Sequence, residues 1–198
     1  MRMLDLDVID TPAAAAIALD PIKTRLLAEL SQPASAASLA GRVGLTRQKV
    51  NYHLRALEDH GLVEAAEQRR WGGLTERLMV ATASSYVVSP AALGPIAADP
   101  ARNDDRLSAS YLIALGARIV REVGDLWRGA RREDKRLATL SIDTVIRFRS
   151  PADRAAFTAD LADAVAALAA RYHDEAAPGG RPHRLVVAAY PAPDEAKP

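Results

Sequence analysis

Arg47, Gln48, Lys49, Asn51, Tyr52 and Arg55 crowd into one short polar stretch between two glycines, Gly44 and Gly61. Their guanidinium, amide, ammonium and phenol groups supply the donors and acceptors that match base edges and phosphates. Spacing decides whether they act together. On a helix turning about 100° per residue, Leu54 and Leu57 lie within about 40° of Val50, and the three form a buried stripe. Gln48, Tyr52 and Arg55 then point the opposite way, with Lys49 and Asn51 on the flanks. A merely solvated helix shows a Glu/Lys mixture on that face, and this one does not.

The elements around this helix must hold it out toward a target. Thr46 is placed to cap its start and Gly61 to close its end. Before it, "SAASLAGRV" reads as a second short helix capped by Ser35, with Leu39, Ala40 and Val43 inward. Ala40, Gly44 and Val50 are spaced as in a helix-turn-helix. The small residue permits close approach, the glycine makes the turn, and the branched residue packs the second helix back. Earlier still, Asp20 and Pro21 open a helix with Ile22, Leu26, Leu27 and Leu30 on one face. After Gly61 the period changes. "LVEAAEQRRWGGLTERLMVAT" reads as a hairpin turning at Gly72 and Gly73, with Arg69, Arg70 and Arg77 near its tip. Such a hairpin would place cations on phosphates or in a minor groove while the helix enters the major groove.

Residues from about 19 to 89 resemble the ArsR-type winged helix-turn-helix transcriptional regulators. The resemblance is carried by "LDPIKTRLLAEL", by "SAASLAGRVGLTRQKVNYHLRALEDHGLVEAAEQRR" and by "GGLTERLMVATASSYVVS". It implies a homodimer, usually a repressor, that binds a palindromic double-stranded DNA operator and leaves it when an effector binds. Carried over by position, Thr46, Arg47, Gln48, Asn51, Tyr52 and His53 occupy the start and exposed face of the recognition helix. Arg47 and Gln48 are the expected base contacts, Thr46 a phosphate contact near the positive helix end. Lys49 and Arg55 are expected on phosphates. His53 lies about 60° from the core stripe, which leaves a phosphate contact and a structural hydrogen bond both open.

Composition limits the alternatives. The chain has 198 residues, 49% of them apolar, and a formal net charge of +1. No global field pulls it onto nucleic acid, so any such attraction must be a local patch. There is no cysteine, which removes disulfides, thiolate metal sites and thiol catalysis. With no apolar run of membrane-spanning length and no signal-peptide pattern, the expectation is a soluble cytoplasmic protein. No nucleophile elbow, phosphate-cradling glycine loop or paired carboxylates in an apolar setting are present, so no enzyme and no cofactor are expected. The four histidines are His53, His60, His173 and His183. The long helix expected from Asn103 to Gly129 has none, and no metal site is expected.

The overall expectation is α+β. Residues 1–92 would form a winged helix-turn-helix DNA-binding domain. Residues 100–191 would form a C-terminal α/β (α-β-α-β) dimerisation or effector domain, and 192–198 a disordered tail. Within the second half, "LATLSIDTVIRFRS" and "RPHRLVVAAYP" read as strands, and the helix between them starts at Ser150 and Pro151. Tyr111, Leu115, Trp127, Phe148, Phe157 and Tyr190 could line a pocket for a small organic effector. The simpler reading is that they fill the core of an α/β layer. A second class of function also fits: a winged-helix module that binds protein or RNA without operator specificity.

Overall fold

The computed structural model describes residues 3–71 and 74–193; the side chains of 68–71, 74 and 75 lie outside that description. The chain forms two compact units, residues 1–137 and 138–198. The boundary expected between 92 and 100 therefore falls inside the first unit.

Unit 1 begins with β1 (Asp7–Ile9), α1 (Pro12–Ala18) and α2 (Pro21–Glu29). Thr11 caps α1 by accepting from the Ala14 amide. Asp20 caps α2 by accepting from the amides of Ile22 and Lys23, with Pro21 where a missing N–H costs nothing. Its second oxygen takes the Lys23 ammonium at 2.9 Å. The hydrogen bond from that ammonium, first among its contacts, holds the Asp20 carboxyl below its usual range.

Then come β2 (Ala34–Ser35), α3 (Ala36–Val43) and α4 (Arg47–Asp59). Ser35 caps α3 and forms a reciprocal box with Ser38. Gly44 ends α3 at φ 69°, ψ 33°, a left-handed conformation that costs a residue with a Cβ about 1–2 kcal/mol. Nothing lies within 4 Å of where a Cβ would stand. Gly44→Ala is therefore expected to destabilise the unit by about 1 kcal/mol through backbone strain alone, measured as a lower urea midpoint at unchanged slope.

β3 (Val63–Trp71) and β4 (Leu74–Ala81) form an antiparallel hairpin, with a register shift between Ala65 and Glu67. β2 adds to the far edge of β4, giving the order β2-β4-β3. β5 (Tyr86–Val88) leaves the hairpin and pairs in parallel with β1. The Tyr86 hydroxyl donates to the Leu62 carbonyl at 2.8 Å and accepts from the Ala83 amide at 3.1 Å. It thereby ties the hairpin's base to the chain leaving α4.

One apolar core joins these elements. Leu26, Leu30, Leu39, Val50 and Leu57 are completely excluded from solvent, with Val43, Leu54, Leu62, Val63 and Met79 around them. Two 3₁₀ turns (Pro90–Ile96 and Pro100–Arg102) lead to α5 (Ala109–Arg132). A small-residue face of α5 rests on β1, within unit 1. Gly124 sits so close to Val8 that a Cβ there would meet Val8 Cγ1 at 3.1 Å. Arg128 donates to the Val8 carbonyl at 2.8 Å and to Asp10 at 2.6 Å.

Unit 2 holds α6 (Pro151–Tyr172), capped by Ser150, which accepts from the Asp153 amide. Phe148 packs against Phe157, ring centroids 5.3 Å apart. The α-β-α-β expectation for the second half needs correction. Among the described residues neither 137–150 nor 181–191 belongs to a ladder. Alternation specifies which side chains share a face, but a strand exists only when a neighbour accepts its hydrogen bonds, and within one chain these segments find none. Residues 194–198 of the expected tail lie outside the described residues.

Candidate nucleic-acid interface

The site is built on α4, and the core decides how α4 is presented. Val50, Leu54 and Leu57 are buried, which fixes the helix's rotation about its own axis. Thr46, Arg47, Gln48, Lys49, Asn51, Tyr52 and Arg55 are then all exposed, with Tyr52 at 71%. Arg47, Gln48, Asn51, Tyr52 and Arg55 line one shallow open concavity. The structure thus brings together the residues whose spacing marked them.

Thr46 Oγ1 accepts from the Lys49 amide at 3.3 Å. Its own proton stays available as a donor, beside the positive end of the helix dipole. Arg25 of α2 donates to the Val43 carbonyl at 3.3 Å, bracing the turn between α3 and α4 from behind. His53 is half-buried and its Nδ1 has no hydrogen-bond partner. Its ring instead meets that of Tyr52 edge-on, centroids 5.4 Å apart. The structural hydrogen bond considered for His53 is not made through that nitrogen.

The electrostatics are local. From Leu30 to Leu57 there is no acidic residue, while Arg42, Arg47, Lys49 and Arg55 fall in that interval. Arg42 reaches Glu29 at 3.4 Å. Arg47, Lys49 and Arg55 have no ion pair among the described residues. A nearly neutral chain therefore carries a cationic, hydrogen-bonding face at the first two-thirds of one helix. Cations left without an internal partner are free to meet phosphates.

Arg77 behaves differently from the expectation. It forms a two-pronged ion pair with Glu58, at 2.8 and 2.5 Å. That pair clamps the hairpin to the C-terminal end of α4. Arg77 stays half-exposed in that pair, its side chain at 50%. The sequence holds a signal for this: the carboxylates Glu58 and Asp59 at the end of α4 and an arginine on β4. Arg69 and Arg70 lie on β3, opposite Glu76 and Thr75; their side chains lie outside the described residues, as do Gly72 and Gly73, where the turn was expected.

The six residues expected around an organic effector are divided between the two units, Tyr111, Leu115 and Trp127 in the first and Phe148, Phe157 and Tyr190 in the second. Tyr111 and Trp127 stand sixteen positions apart on α5, about 24 Å along its axis and far apart around it. Tyr111 lines a shallow depression with Pro100, Asn103, Asp104, Arg106 and Arg118. Leu115 is half-buried. Trp127 carries Arg131 over its ring at 5.4 Å. In unit 2, Phe148 and Phe157 touch, while Tyr190 is 70% exposed. His173 lies 3.7 Å from Glu175, and His183 Nδ1 faces the Arg181 carbonyl.

A family model described as a helix-turn-helix domain matches residues 19–65. The matched span runs from the start of α2 to the first residues of β3 and contains every exposed residue of α4. The chain thus carries a helix-turn-helix domain, which points to a DNA-binding regulator. No curated protein matches the chain. Among the described residues no helix is long and apolar enough to cross a membrane.

Proposed function

We propose that this chain is a homodimeric transcriptional regulator of the ArsR type, acting as a repressor at a palindromic operator. The observation that carries the reading is the face of α4. It presents an amide, a phenol and unpaired cations together, on a helix whose rotation is locked by three buried residues. α4 serves as the recognition helix in the major groove, with Arg47 and Gln48 on base edges and Thr46, Lys49 and Arg55 on phosphates. The β3–β4 hairpin serves as the wing, its Arg69 and Arg70 on the backbone or in the minor groove.

The homodimer is supported by α5. Leu112, Ile119, Val123 and Leu126 fall within about 60° on the wheel, on the side away from Val8 and Arg128. Ile119, Val123 and Leu126 are 37%, 42% and 59% exposed. A second copy of the same helix would cover this stripe. An organic effector would release the operator only by binding the DNA-free conformation more tightly than the bound one. Phe148 and Phe157 are the pair from the expected aromatic set that stand in contact.

The test is a titration of operator DNA at several salt concentrations. Two chains should bind one palindrome, with half-sites about one helical turn or a multiple of it apart. Affinity should fall steeply as salt rises. One chain per operator would overturn the dimer. Equal affinity for all duplexes, or preference for RNA, would overturn the operator reading in favour of a module without sequence specificity.

A further inference from the structure

Unit 2 has a helix but no interior. None of its described residues is buried, those of α6 included. Yet it carries two segments with the side-chain pattern of a sheet. Leu140, Ile142, Ile146 and Phe148 share one side of an extended chain, and Leu185 and Val187 share one side of another. Leu140, Ile142 and Val145 are 84%, 85% and 80% exposed, Leu185 and Val187 66% and 51%. Among the described residues, no backbone–backbone hydrogen bond engages 138–149 or 185–193. Water can serve those polar groups, but it cannot serve the apolar side chains between them. α6 carries a matching stripe, Phe157, Leu161 and Val165, which the chain itself covers only in part.

We propose that unit 2 is completed by unit 2 of a second copy. Segments 138–148 and 185–191 pair between the two chains into one shared sheet, and an α6 from each copy covers one face of it. This rests on the homodimer reading above but names a different surface, outside the helix-turn-helix and outside α5.

Three observations favour a second copy over another occupant. Nine large apolar side chains of this unit are exposed, from Leu140 to Tyr190. At about 60–120 Å² each, from the usual burial energy divided by its coefficient, they amount to about 500–1,100 Å² per chain. A stable interface takes about 800 Å² per partner. Residues 138–193 contain six basic and six acidic residues, so two copies meet without repulsion, and no net charge draws the unit to nucleic acid. A unit of about 60 residues is also small enough that oligomerisation is one of the usual ways to supplement its core.

Amide hydrogen exchange on the full chain, read beside its light-scattering mass, tests this without any substitution. The expected result is a dimer in which amides of 138–148 and 185–191 exchange about a hundredfold slower than unstructured chain, with the protection lost as dilution gives monomer. Ile142→Asp with Leu185→Asp should abolish the same protection while amides of α3 and α4 stay protected. A dimer with fast exchange in these segments overturns the proposal and leaves dimerisation through α5 standing. Slow exchange in a monomer overturns it in favour of pairing within one chain. Protection that appears only on adding DNA or another protein overturns it too, and a monomer with fast exchange removes both readings. If the double variant fails to fold, the dilution series on the unaltered chain decides alone.

Discussion

Replacing Arg47 and Gln48 together by alanine is expected to remove sequence discrimination while leaving the fold intact. Both side chains are exposed on α4, and neither has a partner among the described residues whose loss would destabilise the fold. Each bidentate base contact discriminates by about 1–3 kcal/mol, so the pair should cost about 2–6 kcal/mol on operator DNA if the two act independently. Affinity for random duplex should change much less. The comparison is a pair of titrations, on operator and on scrambled sequence, at one salt concentration. Arg55→Ala gives the contrast: a similar loss on both duplexes and a salt slope smaller by about 1. Arg77→Ala should act through a third route. It leaves Glu58 without its clamp and loosens the hairpin, so its effect should appear in stability as well as in binding. If Arg47 and Gln48 prove no more sequence-sensitive than Arg55, the division between readers and anchors is wrong.

Leu57→Ala is expected to cost about 2–5 kcal/mol of folding stability, the range for emptying a fully buried leucine site. Leu57 is completely excluded from solvent. With Val50 and Leu54 it forms the stripe that sets the rotation of α4. The loss is comparable with the whole stability of a small domain, so the variant should melt far below the parent or fail to fold. Denaturant unfolding followed by far-ultraviolet circular dichroism checks it. A midpoint within error of the parent's would mean that α4 is not held by this core, and the derivation of its exposed face would fall with it.

The helix-turn-helix was legible because its signals are local. Asp20, Ser35, Thr46 and Ser150 each cap the helix they mark, and a cap lies next to what it caps. The stripe on α4 was legible because a period of 3.6 states which residues go inward. What escaped depends on partners distant in sequence. β2 has two residues, too short for any period, and exists because a strand elsewhere accepts its bonds; residues 1–9 read as a strand or a loose arm, and sequence does not show that β1 pairs with β5. The same logic failed in the opposite direction at 137–150 and 181–191, where alternation promised strands. Sequence shows the charge of Arg77 without showing its partner Glu58, nineteen positions away. The six aromatic and apolar residues of the second half were grouped by type, and a helix carries residues sixteen places apart to opposite regions of its surface.

The parallel pairing of β1 with β5 has a consequence for the order in which this protein assembles. The contacts that build the α2–α4 core span short stretches of chain, so their loop-closure cost is small and they can form early. The Ser84 hydroxyl bonds the Asp5 carbonyl across 79 positions, and Arg128 bonds the Val8 carbonyl across 120. Such distant closures are slow. On a ribosome, β1 leaves the tunnel before β5 and must wait for it, and then for the far end of α5, before its bonds are made. The helix-turn-helix is therefore expected to be native-like while β1 is still open. The apolar side of β1 is for that interval the part of unit 1 most exposed to the wrong partner.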